Sequence, residues 1–174
     1  MLATSFWRCR KAIRNATRGS GPSADTEMTT ATKRYPEGTA YHEAGHAIVA
    51  YALGLRVGDI HINEHDEGGG TEVCQCDASR SFIEQAALRL AGIKAQTLWK
   101  KPSTLPLGQK DQEKLLHQGR GLSDACREEI RMRGFELAGE KLERYEGKVK
   151  AVAEHLIEHG RMTESEFDAM MADA

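Results

Sequence analysis

The sequence has few cysteines, four in 174 residues, and their spacing matches no cysteine-based zinc module. A disulfide scaffold is therefore excluded, and a chain of this length buries enough surface to fold without one. We expect a reducing compartment, with the cytoplasm as the default. Long apolar runs are also missing, since none approaches the roughly 18 residues that a membrane span requires. No membrane span is predicted.

Excess charge of one sign is absent as well. Lysine and arginine number 24, aspartate and glutamate 26, and the net charge is −2. This balance excludes a strongly basic nucleic-acid-binding protein. No Gly-x-x-x-x-Gly-Lys-Ser/Thr motif occurs, so the sequence contains no P-loop for an ATP-driven motor. The hydrophobic share of 40% and the charged share of 29% are typical of one globular domain.

The first 34 residues differ from the rest. Residues 1–20 carry basic side chains and no acid, and a Gly/Ser/Pro-rich linker follows at 19–25. We predict a basic, disordered tail over 1–34 and a folded domain over 35–174. Two alternatives stay open, namely an organelle-targeting segment and a true start at Met28.

The patterning predicts a mainly α fold with a small β-hairpin. Residues 40–53 are apolar almost all round, which indicates a buried helix with Thr39 as its N-cap and Gly54 at its end. Two short strands, 56–62 and 71–76, flank a glycine-rich turn. A helical bundle is expected after them, with helices at 81–99, 109–118, 122–146, 147–159 and 163–171.

Chemistry concentrates in the first predicted helix, where His42, Glu43 and His46 form a His-Glu-x-x-His motif. Residues four apart share one helical face, so both imidazoles can reach one ion. Zinc lowers the pKa of a water molecule to about 7, and Glu43 is placed to take its proton. Such polar groups on a buried helix are costly unless they have partners, and a metal provides one.

The residues alone leave the third zinc ligand open. We predict that His61 and His65 are exposed hairpin residues, because spacing of four does not bring side chains together on a strand. Cys74 and Cys76 lie on one face of a predicted strand. Three interpretations stay open for them: buried side chains, a metal site or a strained disulfide. The candidates downstream of the motif are His61, His65, Asp66, Asp111, His117 and Asp124.

The segment 40–50, Ala-Tyr-His-Glu-Ala-Gly-His-Ala-Ile-Val-Ala, resembles the active-site helix of the FtsH-type zinc peptidases, the protease half of the AAA proteases. The stretch 90–98 is similar to that family's Gly-x-x-Ala-Glu helix, with Gln96 where glutamate is usual. Residues 108–114 are similar to the segment that supplies the family's third ligand, and the C-terminal part, 138–171, resembles its last helix pair. The family's ATPase and membrane segments have no counterpart in this sequence.

The resemblance implies a stand-alone domain with a zincin-like active-site helix and one zinc ion per chain. His42, His46 and Asp111 would hold the ion, with Asp124 as the rival third ligand, and Glu43 would be the catalytic base. The implied activity is hydrolysis of peptide bonds in extended or unfolded protein segments. The implied partner is a protein or peptide substrate, added as an extra strand along the hairpin edge.

Two other interpretations stay open. One is a catalytically inactive, zinc-stabilised interaction domain that works with a separate AAA ATPase. The other is a regulatory protease that cleaves one specific protein. The intact Glu43 speaks against the first, because a binding module needs the ligands but not the base.

Overall fold

The computed structural model describes residues 35–64, 68–74, 80–102 and 109–172. The predicted tail at 1–34 and the candidates His65, Asp66 and Cys76 lie outside these residues. The described part confirms the mainly α fold with a small sheet. Its helices and strands, in chain order, are α1 (Glu37–Ala52), β1 (Arg56–Ile62), β2 (Gly69–Cys74), α2 (Phe82–Leu98), α3 (Gln109–Gln118), α4 (Asp124–Arg144), α5 (Glu146–His159), β3 (Arg161–Met162) and α6 (Glu164–Ala172).

Helix α1 is the central element and is buried on nearly every side. It packs against α2 and α5 and against the hairpin strands β1 and β2. The prediction of Thr39 as N-cap is wrong, because the Ala40 amide already donates to the Pro36 carbonyl at 3.0 Å and the helix begins at Glu37. Thr39 is instead fully buried inside the first turn. The predicted end is confirmed, since Gly54 adopts a φ of 73° that favours glycine.

The sheet has three antiparallel strands in the order β2-β1-β3. The hairpin of β1 and β2 is confirmed, with Ile60 opposite Thr71 and Ile62 opposite Gly69. Strand β2 begins at Gly69, two residues earlier than predicted. Strand β3 was not predicted, because two residues carry no readable alternation. On the outer side of β2, no strand of the described part is paired with it.

The helices after the hairpin begin and end close to the predicted positions. A capping box of Ser81 and Glu84 opens α2, and Thr163 and Glu166 form the same reciprocal hydrogen bonds before α6. Gly160, with a φ of 71°, ends α5. No helix within the described ranges is long and apolar enough to cross a membrane.

The core joins α1 to the rest of the domain. Side chains of α1, β1, α4, α5 and α6 meet there and are fully buried, among them Ile48, Ile60, Leu142, Leu156 and Phe167. Close approach of α1 and α2 requires Gly45, where an added Cβ would lie 2.7 Å from the Ala91 carbonyl oxygen. This packing fixes the polar groups of α1 against α2.

Candidate metal centre

The two histidines of α1 converge on one point. The Nε2 atoms of His42 and His46 lie 3.1 Å apart, as the spacing of four predicted. Asp111, in the first turn of α3, brings its Oδ2 to 3.8 Å from His42 Nε2 and 3.4 Å from His46 Nε2. Donor atoms around a tetrahedral zinc, at bond lengths near 2.05 Å, are separated by about 3.3 Å. The three side chains therefore form a cluster that could hold a metal ion.

Hydrogen bonds on the far side of each imidazole determine which nitrogen faces the centre. His46 Nδ1 lies 2.9 Å from the Leu88 carbonyl oxygen, and His42 Nδ1 lies 3.4 Å from Gln96 Oε1. Because these oxygens only accept, both Nδ1 atoms carry the hydrogen. In the neutral rings both Nε2 lone pairs then point at each other and at a carboxylate oxygen. This crowding of acceptors calls for a proton or a cation between them.

The pKa shifts in the cluster agree with the need for a proton or a cation between these groups. Burial by itself would raise the pKa of Asp111, but the contacts with the His42 and His46 rings outweigh it and hold the pKa well below the usual value. Burial would likewise lower the pKa of His46, but the contact with Asp111 and the negative charge of Glu43 raise it above the usual value. Asp111 thus favours the protonated form of His46, and His46 favours the ionised form of Asp111. A cation shared by the cluster would favour the ionised form of Asp111 in the same way.

The second oxygen of Asp111 faces a different set of groups. Asp111 Oδ1 lies 3.9 Å from both Arg89 Nη1 and Lys114 Nζ. The carboxylate therefore has one oxygen toward the histidines and the other toward two cations. These two cations help to orient the Asp111 carboxylate.

Glu43 lies beside the histidines, and its carboxylate is held by the sheet. It is 6% exposed, and the Thr71 hydroxyl donates to its Oε2 at 2.8 Å. Gly69 leaves the space that this side chain occupies, because a Cβ there would lie 2.9 Å from Glu43 Cγ. The start of β2 therefore positions the carboxylate.

Of the candidates within the described residues, Asp124, His61 and His117 do not join the cluster. The Asp124 side chain is 94% exposed and pairs with Arg127 on α4. His61 is exposed, as predicted, and so is His117. Sequence reasoning missed Thr71, the Leu88 carbonyl and the role of Gly92. Thr71 and Gly92 offered only their residue types, β-branched and small, which many other positions share, and Leu88 offered no signal because it acts through its backbone.

A comparison with protein-family models and with curated proteins finds no match for this chain. The resemblance to the FtsH-type peptidases therefore rests on the sequence motifs quoted above alone.

The substitution Gly92→Ala should displace His42. A Cβ at position 92 would lie 2.5 Å from both Cε1 and Nδ1 of the His42 ring, well inside van der Waals contact, so the ring must move. With zinc as the probe ion, we expect the affinity of the cluster to fall at least about 10-fold, since loss of an outer-shell partner alone costs that much. Overpacking should also lower the free energy of unfolding by about 1–3 kcal/mol. Zinc titration and thermal unfolding measure both effects.

The matched control is Gly147→Ala, the same change in α5, where the new Cβ would have no atom within 4 Å apart from its chain neighbours and the backbone of its own helix. It should leave zinc affinity unchanged and leave stability equal or slightly higher. Wild-type affinity in Gly92→Ala would contradict this prediction, because the His42 ring would then accommodate the added methyl group without leaving the cluster.

Proposed function

We propose that this domain is a zinc-dependent metalloendopeptidase. The observation that carries the proposal is the cluster of His42, His46 and Asp111 with a buried carboxylate, Glu43, directly beside it on α1. Two imidazoles and one carboxylate are a common ligand set of hydrolytic zinc sites. The same three ligand types also suit non-haem iron, but Glu43 favours a hydrolytic site because it adds a base.

The residues divide the work of peptide hydrolysis. A zinc ion held by the cluster would lower the pKa of water to about 7 and polarise a substrate carbonyl. Glu43 takes a proton from the attacking water and passes it to the leaving amine. The Thr71 hydroxyl donates a hydrogen bond to Glu43 Oε2. This bond holds the carboxylate in a fixed orientation while it carries the proton. His42 and His46 serve only as neutral ligands in this scheme.

Strand β2 offers a place for an extended substrate. The Asn63 amide donates to the Gly68 carbonyl at 2.7 Å, so by the antiparallel alternation Gly70 faces β1. Gly69 and Thr71 then direct their backbone groups toward the outer side of β2. A peptide added on that side would pass beside Glu43, which contacts both residues.

This geometry favours unfolded or flexible segments as substrates. Strand addition requires several consecutive residues in extended conformation, which loops and loose termini can adopt and folded cores cannot. A separate ATPase that unfolds proteins is the partner that would extend the range to folded substrates.

The proposal is tested by metal content and cleavage of unfolded casein. We expect one zinc per chain by elemental analysis and cleavage that a chelator abolishes. Adding zinc back, but not magnesium, should restore it. Zinc without any cleavage would favour the inactive interaction domain, iron in place of zinc would contradict the assigned metal, and absence of any bound metal would refute the proposal.

A further inference from the structure

We propose that Gln96 is a positioning residue that holds the His42 imidazole as a zinc ligand. This inference rests on the proposed metal centre. Gln96 lies on α2, across the interface from α1, and its side chain is partly buried. Its amide group contacts α1 at two points one turn apart.

The two contacts of the amide are of opposite kinds. Gln96 Nε2 donates to the Gly38 carbonyl oxygen at 3.0 Å, and Gln96 Oε1 lies 3.4 Å from His42 Nδ1. A carbonyl oxygen only accepts, so the NH₂ group must face Gly38. The amide oxygen is thereby directed at His42. The orientation of the side chain follows from the backbone of α1 rather than from the imidazole.

The consequence is a defined tautomer of His42. The amide oxygen accepts from Nδ1–H, which leaves the Nε2 lone pair for the centre. For His46 the same role falls to the Leu88 backbone carbonyl, which no substitution removes. Substitution of Gln96 can therefore change the hydrogen bond at Nδ1 of a cluster histidine.

Two substitutions separate this role from ordinary packing. Gln96→Met keeps the length of the side chain and removes both hydrogen bonds. Gln96→Glu keeps an acceptor for His42 Nδ1–H but loses the donor to the Gly38 carbonyl. Both variants therefore lose the contact with Gly38, whereas only Gln96→Met loses the contact with His42.

The experiment measures zinc affinity of the full chain by chelator competition, together with thermal unfolding of the metal-free protein. Gln96→Met should bind zinc about 10- to 100-fold more weakly, the usual effect of losing an outer-shell partner. Gln96→Glu should keep the wild-type affinity within a few-fold, although both variants unfold at lower temperature than the wild type. A proton-detected ¹⁵N spectrum should show the His42 Nδ1–H signal in the wild type and in Gln96→Glu, and faster exchange of that proton in Gln96→Met.

The control is Thr97→Ala, the neighbouring and exposed position on α2, whose hydroxyl bonds only within its own helix to the Ile93 carbonyl. It should leave zinc affinity unchanged. Equal loss of affinity in both Gln96 variants would mean that the residue acts only through Gly38, and equal retention would mean that it has no effect on the ligand. Either result overturns the inference while the metal centre stands. Absence of zinc from the wild type would overturn both.

Discussion

Glu43→Gln should bind one zinc per chain and cleave unfolded casein about 10²- to 10⁴-fold more slowly than the wild type, the usual loss for a general base. The substitution keeps the size of the side chain, and the amide oxygen can still accept from the Thr71 hydroxyl. What it removes is the ability to take a proton. Zinc content and initial rates of cleavage, measured side by side, check the prediction.

Glu37→Gln is the matched control, because it makes the same change on the same helix. The Glu37 side chain is 51% exposed and pairs with Lys101 at 2.7 Å, away from the cluster. Zinc content and cleavage should both equal those of the wild type. Unchanged cleavage in Glu43→Gln would remove Glu43 as the base, and loss of zinc from that variant would make it a ligand instead.

The local part of the site could be predicted from the sequence. A spacing of four in a helix fixes the relation of His42 and His46 once the helix is recognised, and the apolar residues around them identify the helix. Glu43 follows from the same helix. No knowledge of the remaining fold is needed for these three residues.

The third member of the cluster depends on tertiary packing. Asp111 and Asp124 both lie near the start of a helix, and nothing local distinguishes them. The resemblance favoured Asp111, and the packing of α3 against α2 places its carboxylate at the histidines. Asp124 starts a different helix and points to solvent.

The groups that support the site were harder to foresee for the same reason. Thr71 contacts Glu43 across 28 residues, and Gly92 makes room for a ring 50 residues earlier in the chain. The Leu88 carbonyl acts through its backbone, so its side chain carries no signal. The wrong N-cap has a cause in the sequence itself. Thr39 is a residue type typical of N-caps, but the helix already begins at Glu37.

The supporting groups also show how one helix serves two purposes. Helix α1 carries the two cluster histidines on the face toward α2 and presents Glu43 toward the start of β2. Its burial by α2, α5 and the hairpin stabilises the fold, and the same neighbours orient the polar side chains. A change in this packing should therefore affect metal binding and stability together, as we expect for Gly92→Ala.

Asp111→Asn should weaken zinc binding at least about 100-fold, more than the loss of an outer-shell partner. Asparagine has nearly the same shape as aspartate, so the packing of α3 is preserved. The centre, however, loses its one charged ligand, and the neutral amide is a poorer donor to a divalent ion. The nearby charges of Arg89 and Lys114 then repel the metal without compensation. Chelator competition measures the change.

Asp124→Asn supplies the comparison, because the two aspartates were rivals and receive the same substitution. Its side chain is 94% exposed and pairs with Arg127 within α4, so zinc affinity should stay at the wild-type value. The opposite pattern, with loss in Asp124→Asn and retention in Asp111→Asn, would move the third ligand to α4 and require α3 and α4 to rearrange when the metal binds. Equal retention in both variants would reduce the centre to the two histidines of α1, which is too few protein ligands for a catalytic zinc.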